Sequence, residues 1–180
     1  MARILLIRHC KSSGPAPDAP LTTGGAEAAK AFAGRLRDLG VDAAYSSPFT
    51  RARQTLAPFA TEQGLRLTID DRLAERRLSA SPLEDWLDHI RKSFDNPDYV
   101  ASGGESLREA QRRGLAAIAE IARSGHRLPA LATHGNLLSS VLRHVDGTVG
   151  FEAWQNLKNP DLFEIRIDDG RLASFERLAL

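Results

Sequence analysis

Arg8 and His9 stand together where a short apolar run, Ile4-Leu5-Leu6-Ile7, stops. Four consecutive apolar residues bounded by a proline-containing loop read as a buried parallel strand, covered on both faces. Such a strand delivers its last side chains to the carboxyl edge of the sheet, where open α/β folds place their ligands. A guanidinium and an imidazole at that point are a cation and a nucleophile, a pair suited to phosphate chemistry. Three further segments carry compatible groups: Ser46-Ser47-Pro48-Phe49-Thr50-Arg51-Ala52-Arg53-Gln54-Thr55, Leu73-Ala74-Glu75 and Ala132-Thr133-His134-Gly135-Asn136. Three of the four segments fall just past an expected strand and can converge at one edge of a sheet.

The elements that must position them alternate between strand and helix. Ala2–Ile7 is the first strand. A loop with Pro15, Pro17 and Pro20 leads to Leu21-Thr22-Thr23, which opens a helix with Ala26, Ala29, Phe32, Ala33, Leu36 and Leu39 on its apolar face and Gly40 as its stop. A short strand is expected at Asp42–Tyr45. The next helix begins at Ser46-Ser47-Pro48 and ends near Gly64, with Pro58 as a candidate kink, before a strand at Leu65–Ile69. Leu83, Trp86, Leu87, Ile90 and Phe94 fall at helical spacing, so Pro82–Phe94 reads as an amphipathic helix. Ser106 and Glu109 form a capping box ahead of a helix striped by Leu107, Ala110, Gly114, Leu115, Ile118 and Ile121. Leu128–Thr133 is another buried strand, followed directly by a helix over Asn136–Arg143. Leu162–Ile167 and Leu172–Leu178, joined by Asp168-Asp169-Gly170, form a terminal hairpin. Alternation of this kind implies a largely parallel sheet with helices on both faces.

At 180 residues the chain is most simply one domain. Its 24 basic and 23 acidic residues nearly cancel, which gives no electrostatic signature of nucleic acid or of a membrane surface as partner. The single cysteine, Cys10, excludes an intramolecular disulfide framework. No stretch has the order of a signal peptide and no apolar run approaches spanning length, so a reducing cytoplasm is the expected location. No His-Glu-x-x-His, cysteine cluster or glycine-rich nucleotide loop is present. A cysteine phosphatase needs Cys-x5-Arg, and that position holds Ala16; Cys10 therefore reads as a small buried residue.

In these motifs the chain resembles the histidine phosphatase superfamily, the group of cofactor-dependent phosphoglycerate mutases and small phosphomonoesterases. Arg8-His9, Ser-Ser-Pro-x-x-Arg-Ala-x-Gln-Thr and Thr133-His134-Gly135, in this order and on this background, carry the likeness, together with Leu21-Thr22 and Gly25. The resemblance covers nearly the whole chain. It implies a three-layer α/β/α sandwich with a mostly parallel mixed sheet and a small helical cap, at about 76–105. It also implies that His9 becomes phosphorylated, that Arg8, Arg51 and His134 surround the phosphoryl oxygens, and that Glu75 donates a proton to the leaving oxygen and later activates water. The amide of Asn136 would add a hydrogen bond to the phosphoryl group. Glu105, in Gly103-Gly104-Glu105-Ser106, is the rival acid, although this segment also reads as a glycine turn into the Ser106 cap. Elementary chemistry agrees: only a neutral imidazole has a lone pair for phosphorus, and two arginines with a second histidine supply positive charge without a metal or other cofactor.

The sequence departs from its relatives after His9. Many continue with glycine, an acid and Trp-Asn, whereas this chain has Cys10-Lys11-Ser12-Ser13-Gly14-Pro15. The missing asparagine leaves Ser12, Ser13 or the amide of Gly14 as substitutes in substrate binding. Lys11 is either a contact for a second anionic group or a surface lysine. Arg76 and Arg77 are candidate rim charges, and Trp86 and Phe94 read as the underside of the cap. The interval between Glu75 and His134 is shorter than the mutases usually have, which admits water and favours hydrolysis of a small phosphorylated metabolite. Phosphoglycerate mutase-type transfer is the first alternative; a non-catalytic phospho-ligand binding protein is the second. Oligomeric state is left open.

Overall fold

The computed structural model describes residues 1–180. Its framework is a six-stranded sheet of β1 (Ala2–Arg8), β2 (Ala43–Ser46), β3 (Leu67–Ile69), β4 (Pro129–Thr133), β5 (Asp161–Asp168) and β6 (Arg171–Arg177), in the order β3-β2-β4-β1-β5-β6. β1 to β4 run parallel, while β5 lies antiparallel to both β1 and β6. The mixed sheet carries its parallel strands and its antiparallel hairpin as expected.

β1 shows why this architecture follows from its sequence. Side chains alternate across a strand, so Leu5 and Ile7 face one side and Ile4 and Leu6 the other. Leu5 and Ile7 pack with Phe32, Leu36, Leu56 and Phe59 of α1 (Thr23–Leu39) and α2 (Thr50–Glu62). Ile4 and Leu6 pack with Ile118, Ile121, Leu138 and Val141 of α4 (Leu107–Ala122) and α5 (Gly135–Val145). Both faces are thus removed from water, and the strand lies in the middle of three layers.

The local signals act where expected. Thr22 caps α1 by accepting the Gly25 amide, and Gly40 ends the helix in the left-handed region at φ 77°. Ser106 and Glu109 form the reciprocal capping box of α4. Gly25 has a second role: a Cβ there would lie 2.1 Å from the carbonyl oxygen of Lys11, so only glycine lets α1 approach the loop behind His9.

Several expectations are corrected. The helix anticipated at Pro82–Phe94 is α3, Trp86–Asp95; the carboxylate of Asp85 is held by His89 at 3.1 Å, and Pro82–Asp85 precedes the helix. Phe94 is buried beneath it, but Trp86 at the first turn is 45% exposed. The helix after Ser46-Ser47-Pro48 begins only at Thr50 and continues through Pro58 to Glu62. β3 is shorter than Leu65–Ile69. A short helix, α6 (Phe151–Gln155), carries no sequence signal, because five residues are too few to show a periodicity. No helix is long and apolar enough to cross a membrane.

Candidate active site

Register brings the predicted groups together. β1 and β4 are parallel neighbours with Arg8 opposite Thr133, so His9 and His134 leave the sheet side by side, their ring centroids 5.1 Å apart. The His9 amide donates to the Thr133 carbonyl at 3.1 Å, which continues the ladder one step beyond the strands. β2 pairs with β4 on its other edge, Ser46 opposite Ala132, and this sets Ser47 beside His134. Glu75 arrives from a 3-10 turn, Asp71–Leu73, that is tied to the same edge where Thr133 Oγ1 donates to the Leu73 carbonyl at 2.8 Å.

His9 is held from both sides of its ring. Nδ1 lies 2.6 Å from the Cys10 carbonyl oxygen, and a carbonyl can only accept, so Nδ1 carries the proton. Nε2 is then the lone-pair nitrogen, and Arg51 Nε donates to it at 3.1 Å. Burial, reinforced by Arg51 and Arg8, lowers the His9 pKa to about 4. The ring is therefore neutral at pH 7 with its basic nitrogen facing a cation.

Arg51 occupies the first turn of α2 and is only 4% exposed. Its Nη1 donates to the carbonyls of Pro15 and Ala16, which ties the proline-rich loop to the site. Phe49 lies between Arg51 and His134, with the guanidinium 5.0 Å from its centroid and the imidazole ring edge-on at 4.9 Å. Arg53 points outward to solvent, as its spacing indicates. Arg8 donates to the Leu157 carbonyl at 2.8 Å, and Asn159 Nδ2 donates to the His9 carbonyl at 2.7 Å, so the segment before β5 braces this dipeptide.

His134 is fully buried, with Nε2 2.7 Å from Ser47 Oγ. That hydroxyl also accepts the Phe49 amide. His134 Nδ1 is buried and has no partner within the protein. Burial, with the neighbouring cations adding to it, pushes His134 well below the usual histidine range. A neutral ring at pH 7 runs against the expectation that a second histidine supplies positive charge there, and leaves Arg8 and Arg51 as the cations beside His9.

Glu75 sits over the N-terminus of α5. Its Oε1 accepts the amides of Arg76 at 2.8 Å and Leu137 at 3.2 Å, and its Oε2 accepts the amide of Asn136 at 3.2 Å. The Asn136 amide, expected to face a phosphoryl group, is thus engaged by Glu75, as is Asn136 Nδ2 at 3.4 Å. Glu105 is not a free acid. Arg113 grips its carboxylate with two bonds, 2.7 and 2.8 Å long, and sends Nη1 to the carbonyls of Arg72 and Ala74. Arg76 is not a rim charge either: it is 3% exposed and donates to the Glu105 carbonyl and to Ser93 Oγ of α3. Arg77 is exposed, and its carbonyl accepts the Glu105 amide. Together these bonds clamp the chain on both sides of Glu75.

The two serines offered as substitutes face the loop. Ser12 Oγ donates to the Gly14 carbonyl and Ser13 Oγ to the Pro20 carbonyl. Lys11 is exposed. Cys10 is buried, its thiol pushed up to about 11, and its amide donates to Thr55 Oγ1. Sequence reasoning missed Ser47, Thr55, Arg113 and Asn159. Ser47 and Thr55 lie inside the Ser-Ser-Pro motif, Thr55 one helical turn beyond Arg51, so the signal was present; the other two become visible only through long-range contacts.

The chain has counterparts among known proteins. The chain is 29% identical over 171 residues to a protein of Salmonella paratyphi B named "Probable phosphoglycerate mutase GpmB", an alignment spanning 86% of this chain and 78% of that one. Among solved structures, a mycobacterial glucosyl-3-phosphoglycerate phosphatase in complex with inorganic phosphate superposes with a TM-score of 0.80 at 20% identity, covering 99% of this chain and 96% of the other. A phosphoserine phosphatase mutant of Entamoeba histolytica has the same fold, with a TM-score of 0.75 at 18% identity over 97% and 96% of the two chains. The histidine phosphatase superfamily (branch 1) matches residues 4–178, and the chain belongs to that superfamily.

Proposed function

We propose that the protein is a phosphomonoester hydrolase that works through a phosphohistidine at His9, on a small phosphorylated metabolite and without a metal. The observation that carries this reading is the fixed tautomer of His9. Its proton is committed to the Cys10 carbonyl, and its lone pair stands 3.1 Å from a buried guanidinium. Phosphoryl transfer asks for little beyond such positioning and for charge placed where the transferring oxygens lie.

In the first step the lone pair of His9 Nε2 forms a bond to phosphorus while the P–O ester bond breaks. Its electron pair leaves on the alcohol oxygen, which takes a proton from the Glu75 carboxyl group. Arg8 and Arg51 balance the charge of the oxygens, and the neutral His134 ring stands beside them. In the second step water attacks phosphorus, the P–N bond breaks, and the water proton passes to Glu75. Inorganic phosphate leaves, and His9 and Glu75 regain their starting protonation.

The segment at about 76–105 is the cap in this reading. It contributes only the ten-residue helix α3, which supports access of water to the intermediate. A mutase reading draws on the name of the Salmonella relative. 3-Phosphoglycerate with 2,3-bisphosphoglycerate separates the two: free phosphate is expected, and isomer exchange without it would favour the mutase. Rapid quench with a 32P-labelled ester should trap an acid-labile protein adduct that His9→Ala lacks. Full-rate phosphate release by His9→Ala overturns the proposal.

A further inference from the structure

Trp154 lies on α6 with its ring stacked on Phe151, centroids 5.5 Å apart and planes 23° from parallel. The outer part of the residue reaches the surface, but its indole nitrogen is buried and has no hydrogen-bond partner within the protein. Arg8 Nε is in the same condition, although Arg8 Nη1 is bonded to Leu157. Both nitrogens border the same glycine. A Cβ added to Gly135 would lie 3.1 Å from Trp154 Nε1 and 3.4 Å from Arg8 Nε. Gly135 itself follows His134, whose Nδ1 is also buried without a partner.

Buried donors with no acceptor are unfavourable, because each has lost its water. A shared anionic oxygen removes that cost at once, and a guanidinium with a neutral N–H beside it is a strong receptor for one. Trp86 extends the same surface outward. Its ring meets Trp154 edge to face, with centroids 6.3 Å apart, and it is 45% exposed at the start of α3. The line from Arg8 through Trp154 to Trp86 thus passes from a charged, buried end to an aromatic, open end.

We propose that the Trp154 indole N–H donates to a phosphoryl oxygen held by Arg8, and that Trp86 receives the leaving group. The substrate class is then a phosphomonoester whose alcohol carries a flat or ring-shaped apolar face. This rests on the phosphatase reading above and adds a residue and a substrate class to it.

The test is a titration of the wild-type protein with inorganic phosphate, followed by NMR at the indole N–H groups and the histidine rings. Trp86 and Trp154 are the only tryptophans, so Trp86→Phe assigns the signals. The Trp154 indole proton is expected to move in a saturable way, with the same midpoint as the His9 ring. Trp154→Phe keeps the stack on Phe151 and is expected to weaken phosphate binding about tenfold. If His9 responds and the Trp154 indole does not, this inference fails while the phosphatase reading stands; if neither responds, both fail. Trp86→Ala is expected to raise KM for p-nitrophenyl phosphate more than for glycerol 2-phosphate, and equal effects on both esters overturn the leaving-group assignment.

Discussion

The Nε of Arg51 lies 3.1 Å from the Nε2 of His9, while the same guanidinium holds the carbonyls of Pro15 and Ala16 through Nη1. One side chain therefore aims the imidazole and anchors the loop that follows it. Arg51→Ala should lower kcat on p-nitrophenyl phosphate by about 10²–10³, the loss seen when one preorganised donor is removed. Near-normal turnover in a folded variant would place the reacting phosphoryl group elsewhere.

The low pKa of His9, about 4, has two consequences for pH dependence. An NMR titration should show the His9 ring neutral down to about pH 5, where an ordinary histidine is already protonated. Between the ordinary value of about 6.5 and the folded value, the unfolded chain binds a proton that the folded protein does not. Stability should therefore fall as pH drops through that window, by about 3 kcal/mol from His9 alone, with buried His134 acting in the same direction. Urea denaturation at pH 7 and pH 4.5 checks this; equal stability at both would contradict the neutral, desolvated imidazole.

Glu75→Gln should slow hydrolysis of alkyl phosphates far more than that of p-nitrophenyl phosphate, whose leaving group needs no proton. Glu105→Gln should lack this dependence, because its carboxylate is bound to Arg113 rather than directed at a substrate. A leaving-group effect in Glu105→Gln instead would move the proton donor.

Arg113 fixes the carbonyls of Arg72 and Ala74 just before Glu75, so in the proposed mechanism it positions Glu75. Arg113→Met should reduce kcat with little change in KM, and the loss should again be larger for poor leaving groups. Arg113→Lys should not restore it, because an ammonium cannot reproduce the fork that serves Glu105 and both carbonyls. A rise in KM alone would contradict the positioning role.

Gly25→Ala should destabilise the fold by about 1–3 kcal/mol, the usual cost of forcing atoms into a filled space. The new Cβ would fall 2.1 Å from the Lys11 carbonyl oxygen. Chemical denaturation reads the change directly, and an unaltered midpoint would mean that α1 and the loop are not held so closely.

The chain order of apolar runs determined which side chains could reach a common edge. Ile4–Ile7 and Leu128–Ala132 are apolar on both faces and had to lie inside a covered sheet, which carries Arg8-His9 and His134 to its carboxyl end. Capping residues marked α1 and α4 because their hydrogen bonds are local. What local chemistry cannot encode is the partner chosen across a long loop. Glu75 and Glu105 are indistinguishable as isolated carboxylates; tertiary packing set one over the amides of α5 and the other against Arg113. The same holds for Arg76, drawn inward by Ser93 and the Glu105 carbonyl, and for Trp154, on a helix too short to announce itself. Periodicity survives in one dimension because it repeats, whereas the pairing of single polar groups is settled only when the folded chain removes their water and leaves each a particular neighbour.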